Sequence, residues 1–203
     1  MKAKDKGVNV QTFAKYTHMQ VAYAGRDWFN VHTSDLNRPA IQFAGYFQYF
    51  SADRVQIVGN QEMACLRTLR PEEVDGRMDE FFSYKVPCLV ICNGDPVPEM
   101  LMRKAKENGV PIFCCEESTS KTSHIVVDFL DNVLAPEEAI HANLLDVYNV
   151  GVMIRGESGM GKSELSLELI KRGHLLVADD MTVIRKVNSK RLVGYAPETT
   201  RNL

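Results

Sequence analysis

The chain has 203 residues, 45% hydrophobic and 25% charged, and its 24 basic and 26 acidic side chains leave a formal charge of -2. This composition excludes a collagen, a coiled coil and a mini-protein; a chain of this length buries roughly 70% of the surface its unfolded form exposes, enough for one large or two small domains without staples. The near balance of charge excludes nucleic-acid or anionic-membrane binding by bulk electrostatics, so any basic site must be local.

Five cysteines are an odd count and lack zinc spacing: three residues separate Cys88 from Cys92, and Cys114 adjoins Cys115. They read as reduced, mostly buried thiols, which favours a cytoplasmic protein. Lys2, Lys4 and Lys6 precede GVNVQTFAKYT, which is no apolar signal core, and nowhere do about 18 apolar residues run together, so neither secretion nor a membrane span is expected.

In chain order, NVQTFAKYT (9–17) predicts a helix and MQVAYAG (19–25) a short strand ended by Gly25. SDLNRPAIQFAGYFQYF (34–50) offers Ser34 and Asp35 as caps and breaks at Pro39. It then places Phe43, Phe47 and Phe50 at helical spacing beside Tyr46, a stripe that reads as core. RVQIVG (54–59) has strand composition, and NQEMACLRTL (60–69) reads as the helix after it. VPCLVICNG (86–94), PEMLMRKAKENG (98–109) and VPIFCCEES (110–118) form a strand, an amphipathic helix closed by Gly109, and a second strand. Parallel strands joined this way need a covered sheet, so residues 1–133 are expected to form a small α/β domain.

A helix from Thr122 to Leu134 leads to APEE (135–138), the expected boundary of a second domain spanning 134–203. ANLLDVY and GVMIRG then predict two strands around a tight turn at Asn149–Gly151. HLLVADD (174–180), MTVIRKV (181–187) and RLVGYA (191–196) continue in strand composition, with a turn at 188–190.

Gly156-Glu157-Ser158-Gly159-Met160-Gly161-Lys162-Ser163 matches G-x-x-x-x-G-K-[ST] in full. GVMIR enters the loop as a strand, and KSELSLELIKRG leaves it as a helix with Leu165, Leu169 and Ile170 on one face, the order that phosphate binding needs. Glycines let successive backbone N–H groups point into one concavity, the helix start adds its positive dipole end, and the lysine ammonium neutralises terminal phosphates. The Ser163 hydroxyl is placed to ligate magnesium. A chance glycine-rich turn with a solvated lysine is the bland alternative, and the strand before and helix after the loop weigh against it.

Asp179 and Asp180 close the apolar run LLVA. A strand running beside the loop strand would deliver both carboxylates to the carboxyl edge of the sheet, and alternation turns one toward a metal and the other toward an acceptor or the sheet's far side; the bland alternative is two acids in a tight turn between strands, and the loop weighs against it. His141 stands a few residues before the hairpin; a lone histidine is usually a surface or satisfied core residue, and on spacing alone a catalytic role is the minority reading.

LAPEEAIHANLLDVYNVGVMIRGESGMGKSELSLELIKRGHLLVADD resembles the catalytic core of bacterial HPr kinase/phosphorylase, and DLNRPAIQFAGYFQYF with RVQIVGNQE resembles that family's N-terminal domain. The resemblance implies an α/β protein: a small N-terminal α/β domain followed by a partial P-loop kinase domain with a phosphoenolpyruvate carboxykinase-like core. It implies phosphorylation of a serine of HPr, the phosphocarrier of the sugar phosphotransferase system, with ATP or pyrophosphate as donor and Mg2+ as cofactor, and reversal by phosphorolysis. It also implies a homo-hexamer. Carried over, Gly156 to Ser163 hold the nucleotide or inorganic phosphate, Lys162 stabilises the transferring group and Ser163 holds magnesium. Asp180 matches the family's general base, which is general acid in reverse, and His141 matches an active-site histidine.

The family continues past APETTRNL with a second magnesium-binding acid, a catalytic arginine and a segment that contacts HPr. These 203 residues therefore read either as a fragment or as a shortened member, with exposed sheet edges expected. A catalytically impaired nucleotide- or phosphate-binding module and a small-molecule P-loop kinase stand as competing readings.

Overall fold

The computed structural model describes residues 7–187 and 191–197, and the chain divides into two compact units, Met1–Leu134 and Ala135–Leu203. The turn read at 188–190 lies outside the described residues.

In the first unit, β1 (Gly7–Asn9) pairs antiparallel with β3 (Trp28–Asn30) and leads into α1 (Val10–Thr17). Asn9 caps α1 by accepting from the Thr12 N–H at 3.0 Å. The main sheet contains β2 (Gln20–Tyr23), β4 (Leu36–Asn37), β5 (Val55–Val58), β6 (Leu89–Ile91) and β7 (Ile112–Cys114) in the order β2-β7-β6-β5-β4. Strands β4 to β7 run parallel, and β2 is antiparallel at the edge. Helices α3 (Asn60–Thr68) and α4 (Pro71–Ser83) connect β5 to β6, α5 (Glu99–Asn108) connects β6 to β7, and α6 (Thr119–Leu134) follows.

Period-two alternation puts the strand side chains into two cores. Val55, Ile57, Cys88, Val90, Cys92 and Phe113 pack with Phe13 of α1 and Val126, Phe129 and Leu130 of α6. Val58, Leu89, Ile91 and Ile112 pack on the other face with Met63 of α3, Met78, Phe81 and Phe82 of α4, and Leu101 of α5. Both faces of the parallel sheet are thus covered, which explains its continuous apolar runs. Gly109 ends α5 at φ 64°, as its place in the sequence requires. The Lys104 ammonium ties α5 to α4 through Asp79 at 2.5 Å and Asp75 at 3.4 Å.

Phe43 is core with Phe47 and Phe50 packed against it, but not on one helix, and Tyr46 beside them is exposed rather than core. The only helical turn there, α2, covers Ala40–Phe43 and is preceded by β4, so Ser34 and Asp35 cap no helix. Phe43, Phe47 and Phe50 converge through the following turn, with Phe43 and Phe50 both against Phe81 and Phe47 stacked on Tyr84. Tertiary contact replaces helical periodicity here.

Among the described residues, the second unit holds two three-stranded antiparallel sheets. One has the order β10 (Val150–Ile154), β9 (Asn143–Val147), β11 (Leu175–Ala178); the other has β13 (Leu192–Tyr195), β12 (Met181–Lys186), β8 (Glu137–His141). Glu137 and Glu138 of the APEE segment therefore begin a strand. Arg185 holds β12 to β8 by donating to Glu137 Oε1 at 2.7 Å and also reaches the Tyr195 hydroxyl at 2.9 Å. Burial lowers the Arg185 pKa, and the bonds to Glu137 and Tyr195 outweigh it, so the guanidinium sits above its ordinary value. Gly194 lets the Leu144 side chain of the other sheet approach, since a Cβ there would meet Leu144 Cδ2 at 2.6 Å. The hairpin turn falls on Tyr148 and Asn149, at φ 53° and 63°, one residue earlier than its composition suggested. Among the described residues, no helix is long and apolar enough to cross a membrane.

Candidate functional site

Strand β10 runs into the loop 156–161, and α7 (Lys162–Lys171) leaves it. Gly159 and Gly161 take φ 83° and 82°, a backbone region that suits glycine and lets alternate peptide N–H groups face one concavity. A Cβ at Gly159 would meet nothing within 4 Å, so the requirement is conformational rather than steric. No side chain caps α7 at Gly161, which leaves the dipole end of a ten-residue helix open to an anion.

The Lys162 ammonium donates to the carbonyl oxygens of Gly156 at 2.9 Å and Glu157 at 2.8 Å, folding its side chain back across the loop. Phosphate oxygens are stronger acceptors than these carbonyls and would compete for the same protons. Glu157, Ser158 and Met160 project from the exposed loop, and Ser163 is exposed on the first turn of α7. The helix face differs from its prediction: Ser166 is its buried residue, Leu165 and Ile170 are exposed and Leu169 is half-buried. A polar contact, described next, takes the inward position.

Asp179 and Asp180 follow β11, but β11 does not run beside the loop strand. Strand β9 lies between β10 and β11 and is antiparallel to both, so the two flanking strands are mutually parallel and end at the same edge. The Met181 N–H donates to the Asp179 carbonyl at 2.6 Å, closing a three-residue turn centred on Asp180 at φ 60°. His141 ends β8 opposite Met181, and its Nδ1 stands 3.9 Å from Asp180 Oδ1. Both side chains are largely exposed, so this pair contributes little to stability.

One residue that motif reading passes over connects these parts. Asn143 is buried at the start of β9; its Oδ1 accepts from the Asp180 N–H at 2.8 Å and its Nδ2 donates to Ser166 Oγ at 2.9 Å. Ser166 in turn donates to the Lys162 carbonyl at 2.9 Å. The available signal was a lone amide opening an otherwise apolar strand, since a buried polar group needs partners. The structure thus brings His141 to Asp180 directly and Asp180 to the first turn of α7 through Asn143 and Ser166. Asp179 offers its carbonyl to the turn, while its side chain stays exposed.

Comparison with known proteins matches residues 8–130 to the HPr Serine kinase N terminus and residues 132–203 to the HPr Serine kinase C-terminal domain. The chain belongs to the HPr kinase/phosphorylase family. It is 41% identical over 196 residues to the HPr kinase/phosphorylase of Caldanaerobacter subterraneus subsp. tengcongensis, covering 96% of this chain and 64% of that protein. Its identity to the Lachnoclostridium phytofermentans protein of the same name is 49% over 168 residues, covering 83% of this chain and 54% of that one. For the Alkaliphilus metalliredigens HPr kinase/phosphorylase the figures are 44% over 173 residues, with 85% and 56% covered. The chain therefore spans between about half and two thirds of the length of these curated relatives.

Proposed function

We propose that this chain carries the nucleotide-binding part of a serine-protein kinase and phosphorylase acting on HPr, using ATP or pyrophosphate. The observation that carries the reading is the open N-terminus of α7 with Lys162 folded across a loop built on left-handed glycines, joined to Asp180 through the buried side chains of Ser166 and Asn143.

Phosphoryl transfer asks the protein mainly for alignment and charge neutralisation. In this reading the loop amides of 156–161 cradle the phosphates and Lys162 exchanges its carbonyl partners for phosphate oxygens. Asp180 takes the proton of the attacking serine hydroxyl and returns one in the reverse direction, and His141 lies beside it to orient or share that charge. Among the described residues no group of three or more His, Cys, Asp or Glu side chains could hold a metal alone. The exposed Ser163 hydroxyl, with phosphate and water oxygens, is the hard-oxygen set that Mg2+ accepts. When bound, Mg2+ would neutralise charge on the transferring group. The family likeness extends the reading to a cytoplasmic homo-hexamer, which sedimentation of the purified chain tests.

The deciding experiment is intact-mass detection of HPr phosphorylation by the 203-residue chain with ATP and Mg2+. Phosphorylated HPr is expected with the natural chain and absent with Lys162→Ala; Asp180→Asn is expected to keep ATP binding and lose phosphorylation. Full activity of Asp180→Asn removes that carboxylate from the mechanism. A folded chain that binds ATP but leaves HPr unmodified shows a binding module instead.

A further inference from the structure

We propose that Asn143 is a positioning residue that fixes Asp180 relative to the first turn of α7. The inference rests on the reading of Asp180 as the proton-transfer group.

The polarity of the chain of bonds is forced from one end. The Lys162 carbonyl can only accept, so the single Ser166 proton is committed to it, and Ser166 Oγ must then act as acceptor toward Asn143. At the other end the Asp180 N–H can only donate. Asn143 therefore has to present NH2 to Ser166 and oxygen to Asp180, a demand that an amide meets and a carboxylate or an aliphatic side chain does not. Asn143 and Ser166 are 2% and 4% exposed, so water cannot replace either bond without repacking.

The backbone that this amide holds is an unusual one. Asp180 has φ 60°, and three neighbours determine its conformation: Asn143 Oδ1 on its N–H, the Ala142 N–H on its carbonyl at 3.1 Å, and the Met181 N–H closing the turn. Thr182, fully buried, donates to the Ala142 carbonyl at 2.8 Å and locks the same two segments once more. The carboxylate of Asp180 is exposed, with the equally exposed His141 Nδ1 3.9 Å away, so the backbone at φ 60° sets the position from which the side chain starts. Because the same amide reaches the helix that starts at Lys162, the acid and the phosphate loop share one mechanical connection.

The test compares the 203-residue chain with Asn143→Ala, Ser166→Ala and the double variant. In HPr phosphorylation, Asn143→Ala is expected to lower kcat by about 100-fold, the effect of a misplacement near 1 Å, while the KM for ATP changes little. The double variant is expected to match Asn143→Ala, since both substitutions break one connection. An unchanged kcat, or a fall that appears in ATP affinity alone, overturns the proposal.

A second readout needs no catalysis. The Asp180 amide is expected to exchange its hydrogen about fivefold faster in Asn143→Ala, the equivalent of one lost hydrogen bond, while other β11 and β12 amides hold. Equal Asp180 exchange in the two folded chains overturns the proposal. If the natural chain leaves HPr unmodified, the functional reading fails and exchange alone decides this one. If Asn143→Ala does not fold, Ser166→Ala carries both measurements with the same expected directions.

Discussion

The two units solve the sheet problem differently. In the first, every residue of β5 and β6 is buried because helices cover both faces of a parallel sheet. In the second, Leu175, Leu176 and Val177 of β11 and Val150 of β10 are exposed, and α7 turns Ser166 inward. Hydrophobic stabilisation scales with apolar area removed from water, so the first unit holds the larger reserve. The loop, Lys162, His141 and Asp180 all lie in the second. Stability and candidate chemistry are segregated along the chain.

The strongest challenge to this contrast is a matched pair of truncations. Phe13 is fully buried with Phe29 and Phe129 edge-on to it, so Phe13→Ala is expected to cost about 3–5 kcal/mol, whereas Leu175→Ala, 68% exposed, is expected to stay within about 0.5 kcal/mol. Urea unfolding followed by alkylation of Cys88 measures the first unit directly, because that thiol is fully buried and burial pushes its pKa up. Comparable losses from the two substitutions would break the comparison.

A narrower test is steric. Gly59 stands between β5 and α3, where a Cβ would collide with Thr119 Oγ1, so Gly59→Ala is expected to cost about 1–3 kcal/mol in thermal unfolding. A neutral result would show that the start of α6 yields, and that this unit is less tightly packed than its burial implies. The smallest expected effect belongs to the second unit. Asn149 sits at φ 63° in the hairpin turn, and Asn149→Gly is expected to add about 0.5 kcal/mol, read as a rise in its melting temperature.

Much of the first unit was legible because its elements obey local rules. VPCLVIC and VPIFCC are covered on both faces and so remain apolar throughout, and Gly109 marks the end of α5. Helix α4 is masked in the sequence by its density of charge and by Gly76 inside it, although Val74, Met78, Phe81 and Phe82 recur at helical spacing and are all buried. The opposite error occurred at Phe43, Phe47 and Phe50, whose spacing is helical and whose backbone beyond Phe43 is not. Spacing identifies residues that share a core, and it does not say whether a helix or a turn brings them there.

For the second unit, local sequence determined the loop itself: the glycines that accept positive φ, the lysine and serine that open α7, and the strand before them. Only tertiary structure decided that β9 separates β10 from β11, that Asp180 occupies a turn at φ 60°, and that Asn143 joins it to Ser166. The physical reason is range. Glycine conformation and helix starts are set by neighbours in sequence, whereas the hydrogen bond from Asp180 to Asn143 spans 37 residues and exists only once the strands have paired.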